Sequence, residues 1–310
     1  MNLAHVHLLL NHFPTIGLII SGGLFLFAAI ERHHDGIRAS LALIVLVAVM
    51  SVATFFSGGA AADLVATQAG ISVDTVQRHE DAAIVGFLLL QVTGFVAWIG
   101  LWQWRQIARP TRWNVSAVFL LVVLTILLMA RAATIGGEIH HPEIMGGTPT
   151  VPFFTIRWMT SAAIAAAATY RWAWPTLETI HFIGLALLFG VLLLVNCRVL
   201  GMARQLSYAS VHRLLPWAVV GFGANVITGT LFFVATPQQY TQNTAFQLKV
   251  GLILAACIGL LYLTIADAPW RLRAGDDAPA HAKVVAGVSL LLWIAVIYCG
   301  RMLPFIGNPV

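Results

Sequence analysis

Eleven histidines stand in a chain of 310 residues that is otherwise poor in ionisable groups. Seven of them, His5, His7, His12, His79, His140, His141 and His181, fall near one set of ends of long apolar runs. The other four, His33, His34, His212 and His281, fall in polar connections, where a solvated histidine is the ordinary reading. A neutral imidazole suits zinc, copper and haem iron, and an ionisable side chain in a membrane points to function. His5 and His12 are seven residues apart, on one stripe of a helix. Glu80, Asp81, Glu138, Glu143 and Glu178 lie close by in sequence and can accept the second N–H of a ligand imidazole. Arg131 sits in an apolar run, where a haem propionate, Glu138 or Glu143 would neutralise it. An ion-pair network without any cofactor would use the same residues.

The elements that must position these groups are membrane helices. The chain is 59% hydrophobic and 9% charged, with a mean hydropathy of +0.87, whereas a soluble domain carries about a quarter charged residues. Apolar runs near 8–30, 40–58, 82–102, 115–135, 177–197, 214–235, 249–266 and 284–303 are each about long enough to span a bilayer. The fold class expected is all-α: about eight transmembrane helices in two four-helix bundles. Module one covers 1–145, a linker covers 146–175, and module two covers 176–310. Within the linker Ser161–Ala168 is too short to cross and reads as an interfacial or re-entrant helix flanked by Trp158, Trp172 and Trp174. The Met1–Asn2–Leu3 start lacks a basic n-region, so no cleavable signal peptide is expected.

Charge sets the orientation. Arg32, Arg38, Arg105, Arg109, Arg112, Arg198, Arg204, Arg213, Arg271, Arg273 and Lys283 share one set of connections. The positive-inside rule makes that side cytoplasmic, with both termini outside and the protein multi-pass in a bacterial inner membrane. Tryptophans at 98, 102, 104, 113, 217 and 270 mark the inner edge as an aromatic belt. The net charge of +5 is spread between apolar runs and forms no nucleic-acid patch. Cys197, Cys257 and Cys299 form no C-x-x-C and read as buried hydrophobes. The glycines of 184–229 read as packing positions, and Gly136–Gly137 as a turn ending the fourth span.

At about 1.5 Å per residue, His12 and His181 lie on the order of 6 Å below the outer edge, with His79 at that edge and His141 just beyond it. Four helices thus bring imidazoles to one level, the arrangement a bis-histidine haem needs. Pro14 can bend the first helix and turn His12 inward. No histidine falls in the inner half of a span, so a transmembrane wire of two stacked haems is not expected.

The motifs LNHFPTIG at 10–17, SGGAAADL at 57–64, RHEDAA at 78–83 and MARAATIGGEIHHPEI at 129–144 resemble a family of largely uncharacterised bacterial four-helix membrane proteins. The matching positions are His12, His79, Glu80, Arg131, Gly136, Gly137, His141 and Glu143, with His140 ranked below His141. The second half, through ETIHFIGLALLFG at 178–190, CRVLGMARQL at 197–206 and the segment ending at Lys249, resembles small membrane proteins distantly similar to copper resistance protein D and b-type cytochromes. It departs from di-haem cytochromes in having only His181. The resemblance implies a fused two-module subunit with outer-face histidines.

The function expected from residues and resemblance together is a haem b electron-transfer subunit, with one or two haems, between a periplasmic dehydrogenase or c-type cytochrome and the quinone pool. Candidate axial ligands are His12, His79, His141 and His181, with His5, His7 and His140 in second rank and Arg131 at a propionate. Gln238, Gln239, Tyr240 and Lys249 are the candidate quinone contacts. The alternatives are a copper or zinc permease and a haem-free anchor whose 136–176 segment docks a periplasmic enzyme. Against the permease stands the lack of a polar path into the inner half. G-x-S-x-G, H-E-x-x-H and phosphate loops are absent, which disfavours hydrolase or transferase chemistry.

Overall fold

A computed structural model describes residues 2–140 and 159–306. The described residues contain helices and no strands. In chain order these are α1 (Leu3–Leu10), α2 (Phe13–Ile30), α3 (His34–Val65), α4 (Val73–Ile107), α5 (Arg112–His140), α6 (Ser161–Ala168) and α7 (Ala173–Leu200). They continue as α8 (Tyr208–His212), α9 (Leu215–Ala235), α10 (Pro237–Thr241), α11 (Thr244–Ile265), α12 (Asp267–Trp270) and α13 (Ala280–Met302). Eight segments are long and apolar enough to cross a membrane, α1 with α2 and α8 with α9 each counting as one. Large apolar side chains such as Leu8, Phe27, Leu120, Phe182 and Leu291 stand exposed on their outer faces. Water would make such a surface costly, whereas lipid solvates it. The protein is therefore a multi-pass membrane protein.

Local chemistry sets the helix ends. Asn2, Ser72 and Asn243 accept from backbone N–H groups of the first turns of α1, α4 and α11, satisfying donors that a helix start leaves free. The first span breaks at Asn11–His12 because Pro14 cannot donate to the Leu10 carbonyl four residues back. The Thr54 hydroxyl of α3 takes over, donating to Leu10 O at 3.3 Å. α4 ends where Ala108 adopts φ 62 ahead of Pro110, and α7 ends at Gly201 with φ 94.

Small residues allow the closest crossings. A Cβ added at Gly94 of α4 would lie 2.4 Å from Ala48 Cβ of α3, and one at Gly221 of α9 would lie 2.5 Å from Gly184 O of α7. The apolar core runs without a break from Leu18, Leu41 and Leu90 to Leu192, Ala256 and Trp293, so the two halves of the chain share it.

Alternation of the spans gives the bundle two ends. One, the histidine end, carries the start of α1, the α3–α4 turn and the start of α7. The other, the basic end, locks the halves together. Arg105 of α4 donates to Thr264 O at 3.1 Å, to Asp267 at 2.7 Å and to Ile265 O, and Arg38 donates to Ile265 O at 2.5 Å. The hydrogen bond from Arg105 holds the exposed Asp267 carboxyl below its ordinary pKa. Trp98 and Trp102 add indole bonds to Thr264 and to His212 O.

The eight spans and the short helix at Ser161–Ala168 lie where the apolar pattern puts them. Two readings are corrected. Gly136–Gly137 is no turn but lies inside α5, which runs on to His140. His212 is not solvated: it is 0% exposed, packed against Trp270 and Tyr208 with ring centroids at 4.5 and 5.4 Å. His141, Glu143 and the first part of the linker lie outside the described residues.

Candidate functional site

The histidine end encloses a cavity of about 710 Å³ walled by α1, α3, α4 and α5, with Phe233 of α9 closing one side. Its size is that of an ordinary cofactor pocket, about 300–1,000 Å³. Five imidazoles, those of His5, His7, His12, His79 and His140, line it together with Glu80. The rest of the lining is mainly apolar, including Phe55, Phe87 and Met129.

Two of the five imidazoles are fixed from behind. His7 Nδ1 lies 2.9 Å from Thr54 O of α3, and His79 Nδ1 lies 2.9 Å from Ala132 O of α5. A carbonyl only accepts, so each Nδ1 carries the proton and each Nε2 keeps its lone pair. Neither Nε2 has a protein partner among the described residues. Both rings also lie over a glycine one turn beyond the accepting carbonyl. A Cβ at Gly58 would come to 3.2 Å from His7 Cε1, and one at Gly136 to 3.0 Å from His79 Cε1. Carbonyl at i and glycine at i+4 share a helix face, and the arrangement occurs twice, on α3 for His7 and on α5 for His79.

This is the donor set a metal-bound imidazole requires: Nδ1–H held by a backbone carbonyl, ring orientation set, Nε2 free. His5, His12 and His140 are exposed on the same cavity, and no described hydrogen bond holds their rings. His12 ends up as the cap of α2, a consequence of the Pro14 break.

His181 belongs to a different place. Its Nδ1 lies 2.8 Å from Thr228 Oγ1 of α9. That hydroxyl donates to Ala224 O at 2.7 Å, so it can only accept from His181. The ring sits 5.9 Å from Phe232 and lines no part of the cavity. Arg131, on α5, also does not line it. Glu138 lies 3.8 Å from Arg78, while Asp81 accepts from Ser161 N and Oγ at 2.8 Å and so ties α6 to α4.

Gln238 and Gln239 are exposed on α10, and Tyr240 is half-buried beside Phe246, with ring centroids at 5.1 Å. Burial pushes the Tyr240 hydroxyl up to about 12. Lys249 Nζ of α11 lies 3.2 Å from where a Cβ of Gly300 would be. A run of aromatic rings joins cavity and corner. Phe87 stacks on Phe55 at 4.2 Å, Phe55 is 6.0 Å from Phe233, and Phe233 is 6.2 Å from Tyr240.

Depth arithmetic along the helices ranks His12 above His7; in the structure it is the His7 ring that a carbonyl holds and that lies over a glycine. The repeated Gly-Gly pairs at 58–59 and 136–137 are the sequence signal for it. No family model, curated protein or solved structure matches the chain.

Proposed function

We propose that the protein is a haem b electron-transfer subunit of a bacterial inner membrane, whose haem His7 and His79 would hold. The observation that carries this reading is the twofold use of one device at one cavity: an imidazole whose Nδ1 is tied to a neighbouring helix and whose Nε2 is left free. The residues fit the group. A bis-imidazole iron takes two such nitrogens and an apolar slot, and glycines at 58 and 136 let both rings lie against helix backbone. Bound haem iron supplies a one-electron couple.

The chain's own residues do the rest. The Thr54 and Ala132 carbonyls hold the Nδ1 protons and raise the basicity of each Nε2. Phe55, Phe87 and Phe233 exclude water from the apolar side of the cavity. Among the other imidazoles, His5, His12 and His140 stand along the cavity with rings free to turn. The aromatic run toward Tyr240 supports a quinone contact at the α10–α11 corner with Gln238, Gln239, Tyr240 and Lys249. The charge asymmetry supports a periplasmic histidine end, both termini outside, and a periplasmic dehydrogenase or c-type cytochrome as redox partner. Division into two four-helix modules at 1–145 and 176–310 belongs to the same proposal. A copper or zinc permease has less support: among the described residues no three His, Cys, Asp or Glu side chains are grouped to hold an ion.

The test is the visible spectrum of the detergent-purified protein before and after dithionite. A b-type difference spectrum is expected, lost in His7→Ala and in His79→Ala and kept in His12→Ala and His181→Ala. A colourless protein after growth with added haem overturns the proposal. So does a spectrum that survives both losses. Uptake of labelled copper or zinc into proteoliposomes by the haem-free protein would install the permease instead.

A further inference from the structure

Part of the basic end is spent on the protein itself. Arg38 and Arg105 donate to carbonyls of α11, Arg198 donates to Arg273 O, and Arg204 pairs with Asp277. Arg109, just past the end of α4, and Arg213, between α8 and α9, are exposed instead. No described carboxylate lies within ion-pair distance of either.

Contacts between α4 and α9 bring these two positions to one place. The helices run antiparallel and touch where a Cβ on Gly223 would lie 3.2 Å from Phe95 Cε2. The Phe95 ring also packs edge-on to Phe222 at 5.8 Å. About 15 Å nearer the basic end, at about 1.5 Å per residue, the two halves of the chain meet again. Gln106 Nε2 donates to Ala209 O at 3.4 Å, and the backbone N–H of Arg213 donates to the same carbonyl at 3.2 Å. Trp102 Nε1 donates to the adjoining His212 O at 3.0 Å. Gln106 and Arg213 therefore share one carbonyl, and Arg109 follows three residues after Gln106.

Behind this charged mouth the seam is apolar and faces outward. On α9, Trp217, Val220 and Ile227 are exposed, and their spacing from Arg213 places all four on one helical face. On α4, Val92 is exposed and Ile99 half-buried, seven residues apart on one face. A tryptophan one turn from an arginine, at the end of an apolar strip, matches the headgroup level of a bilayer.

The charge of the mouth is uncompensated. No Asp or Glu occurs from 82 to 137 or from 179 to 266. Asp267, an acid that α4 does reach, is taken by Arg105. Two guanidinium groups offer planar forks of donors that suit a phosphate, and Gln106 adds an amide. A soluble anion would use the cations and leave the apolar strip bare, whereas an anionic phospholipid uses both.

We infer that the α4–α9 seam binds one anionic phospholipid at the basic end. Its phosphate is held by Gln106, Arg109 and Arg213, and an acyl chain lies along Trp217, Val220 and Ile227. The redox reading is not needed for this, because the seam lies at the opposite end from the histidine cavity. Its consequence is mechanical: the lipid touches α4 of the first half and α9 of the second, and so strengthens the contact between them.

Two measurements test it on the full-length protein in detergent. In the first, phosphatidylglycerol and phosphatidylcholine compete, and bound lipid is counted by native mass spectrometry. One phosphatidylglycerol is expected to be retained in preference. Each cation near a membrane surface is worth about fivefold in affinity for anionic lipid. Arg109→Gln and Arg213→Gln should therefore each lower the preference about fivefold, with the lipid-free melting temperature unchanged. Arg32→Gln, at an equally exposed arginine of the α2–α3 turn, should leave the preference as it was. In the second, phosphatidylglycerol with a photoreactive group on its acyl chain is expected to label α4 and α9 peptides of the unsubstituted protein above those of the other spans. Equal retention of the two lipids overturns the site, as does an equal loss in Arg32→Gln. Labelling spread evenly over all spans does the same. Inorganic phosphate that displaces the lipid and raises the melting temperature as much would reveal a soluble-anion site and overturn the lipid assignment.

Discussion

Gly136→Ala separates the site from the fold by the size of its two effects. In a helix interior, alanine is worth about 0.5–1 kcal/mol over glycine, so a purely structural glycine at this place in α5 would be improved by the change. The new Cβ, however, would lie 3.0 Å from His79 Cε1 and 3.1 Å from Nδ1. Non-bonded carbons rest about 3.5–4.0 Å apart, so the imidazole edge must retreat by roughly 0.5–1 Å. The His79 Nδ1 to Ala132 O distance of 2.9 Å then opens past about 3.4 Å, beyond a useful hydrogen bond. Loss of that bond costs about 0.5–1.5 kcal/mol, and loss of the partner behind a metal-binding histidine weakens binding about 10–100-fold. The expected result is haem affinity lower by about tenfold, in a protein whose haem-free stability changes by no more than about 1 kcal/mol, the helix gain and the lost hydrogen bond largely offsetting each other. Gly58→Ala, with its nearest His7 atoms at 3.2 and 3.4 Å, should weaken binding less, and Gly23→Ala, with nothing within 4 Å, not at all. Haem titration followed by visible absorbance and a melt of the haem-free protein read the two quantities separately. Equal affinity in Gly136→Ala and the parent, or a larger loss in Gly58→Ala than in Gly136→Ala, refutes the docking argument.

Other substitutions probe the frame. Gly94→Ala and Gly221→Ala place a Cβ within 2.5 Å of Ala48 Cβ and of the Gly184 carbonyl, and overpacking of this kind costs about 1–3 kcal/mol. Both should lower the detergent melting temperature, with no such loss in Gly190→Ala or Gly251→Ala, where the space is open. Arg105→Ala frees three acceptors at the basic end and should lower it as well, whereas Asp267→Asn should change it little, because that carboxylate is largely exposed. The Asp267 pKa is depressed, so its contribution is present above the unfolded value of about 3.9 and fades as pH falls through the lower folded value. Melting curves should therefore differ little between the parent and Asp267→Asn below that range, and any gap should appear above it.

The spans were legible in the sequence because lipid asks only for length and low charge, and both are written in the residue order. Ser161–Ala168 was legible for the same reason, being apolar but too short to cross. What a helix turns toward its neighbours was not. A helix apolar on every face carries little amphipathic signal, so His79 and His181, at similar depth, could not be told apart until packing put one on the cavity and the other on Thr228. The order of His7 and His12 was hidden by treating the first span as one rod. Pro14 interrupts it at Asn11–His12, leaving His12 at the break and His7 in the turn that docks on Thr54. Gly136–Gly137 misled because glycine pairs also end helices; here a tertiary partner, the His79 ring, accounts for Gly136. His212 misled because its neighbours in sequence are polar, while its neighbours in space are Trp270 and Tyr208.

α1 is held to the bundle by few polar contacts, and this gives the ligand pair a second, independent consequence. α1 buries none of its residues, and the described polar contacts holding it to α3 are His7 Nδ1 with Thr54 O and Thr54 Oγ1 with Leu10 O. Segments held this way open locally at low cost. A ligand bridging His7 on α1 to His79 on α4 binds only the closed form, and at a concentration of 100 times Kd it adds about 2.7 kcal/mol to that form. Amide exchange across α1 should therefore slow by up to about 100-fold on haem loading, while exchange in α13, which makes no contact with the cavity, stays as it was. Because the readout is protection and not turnover, it holds whatever the redox partner is. Loading that leaves α1 exchange untouched while colouring the protein would remove His7 from the pair and point to another imidazole opposite His79.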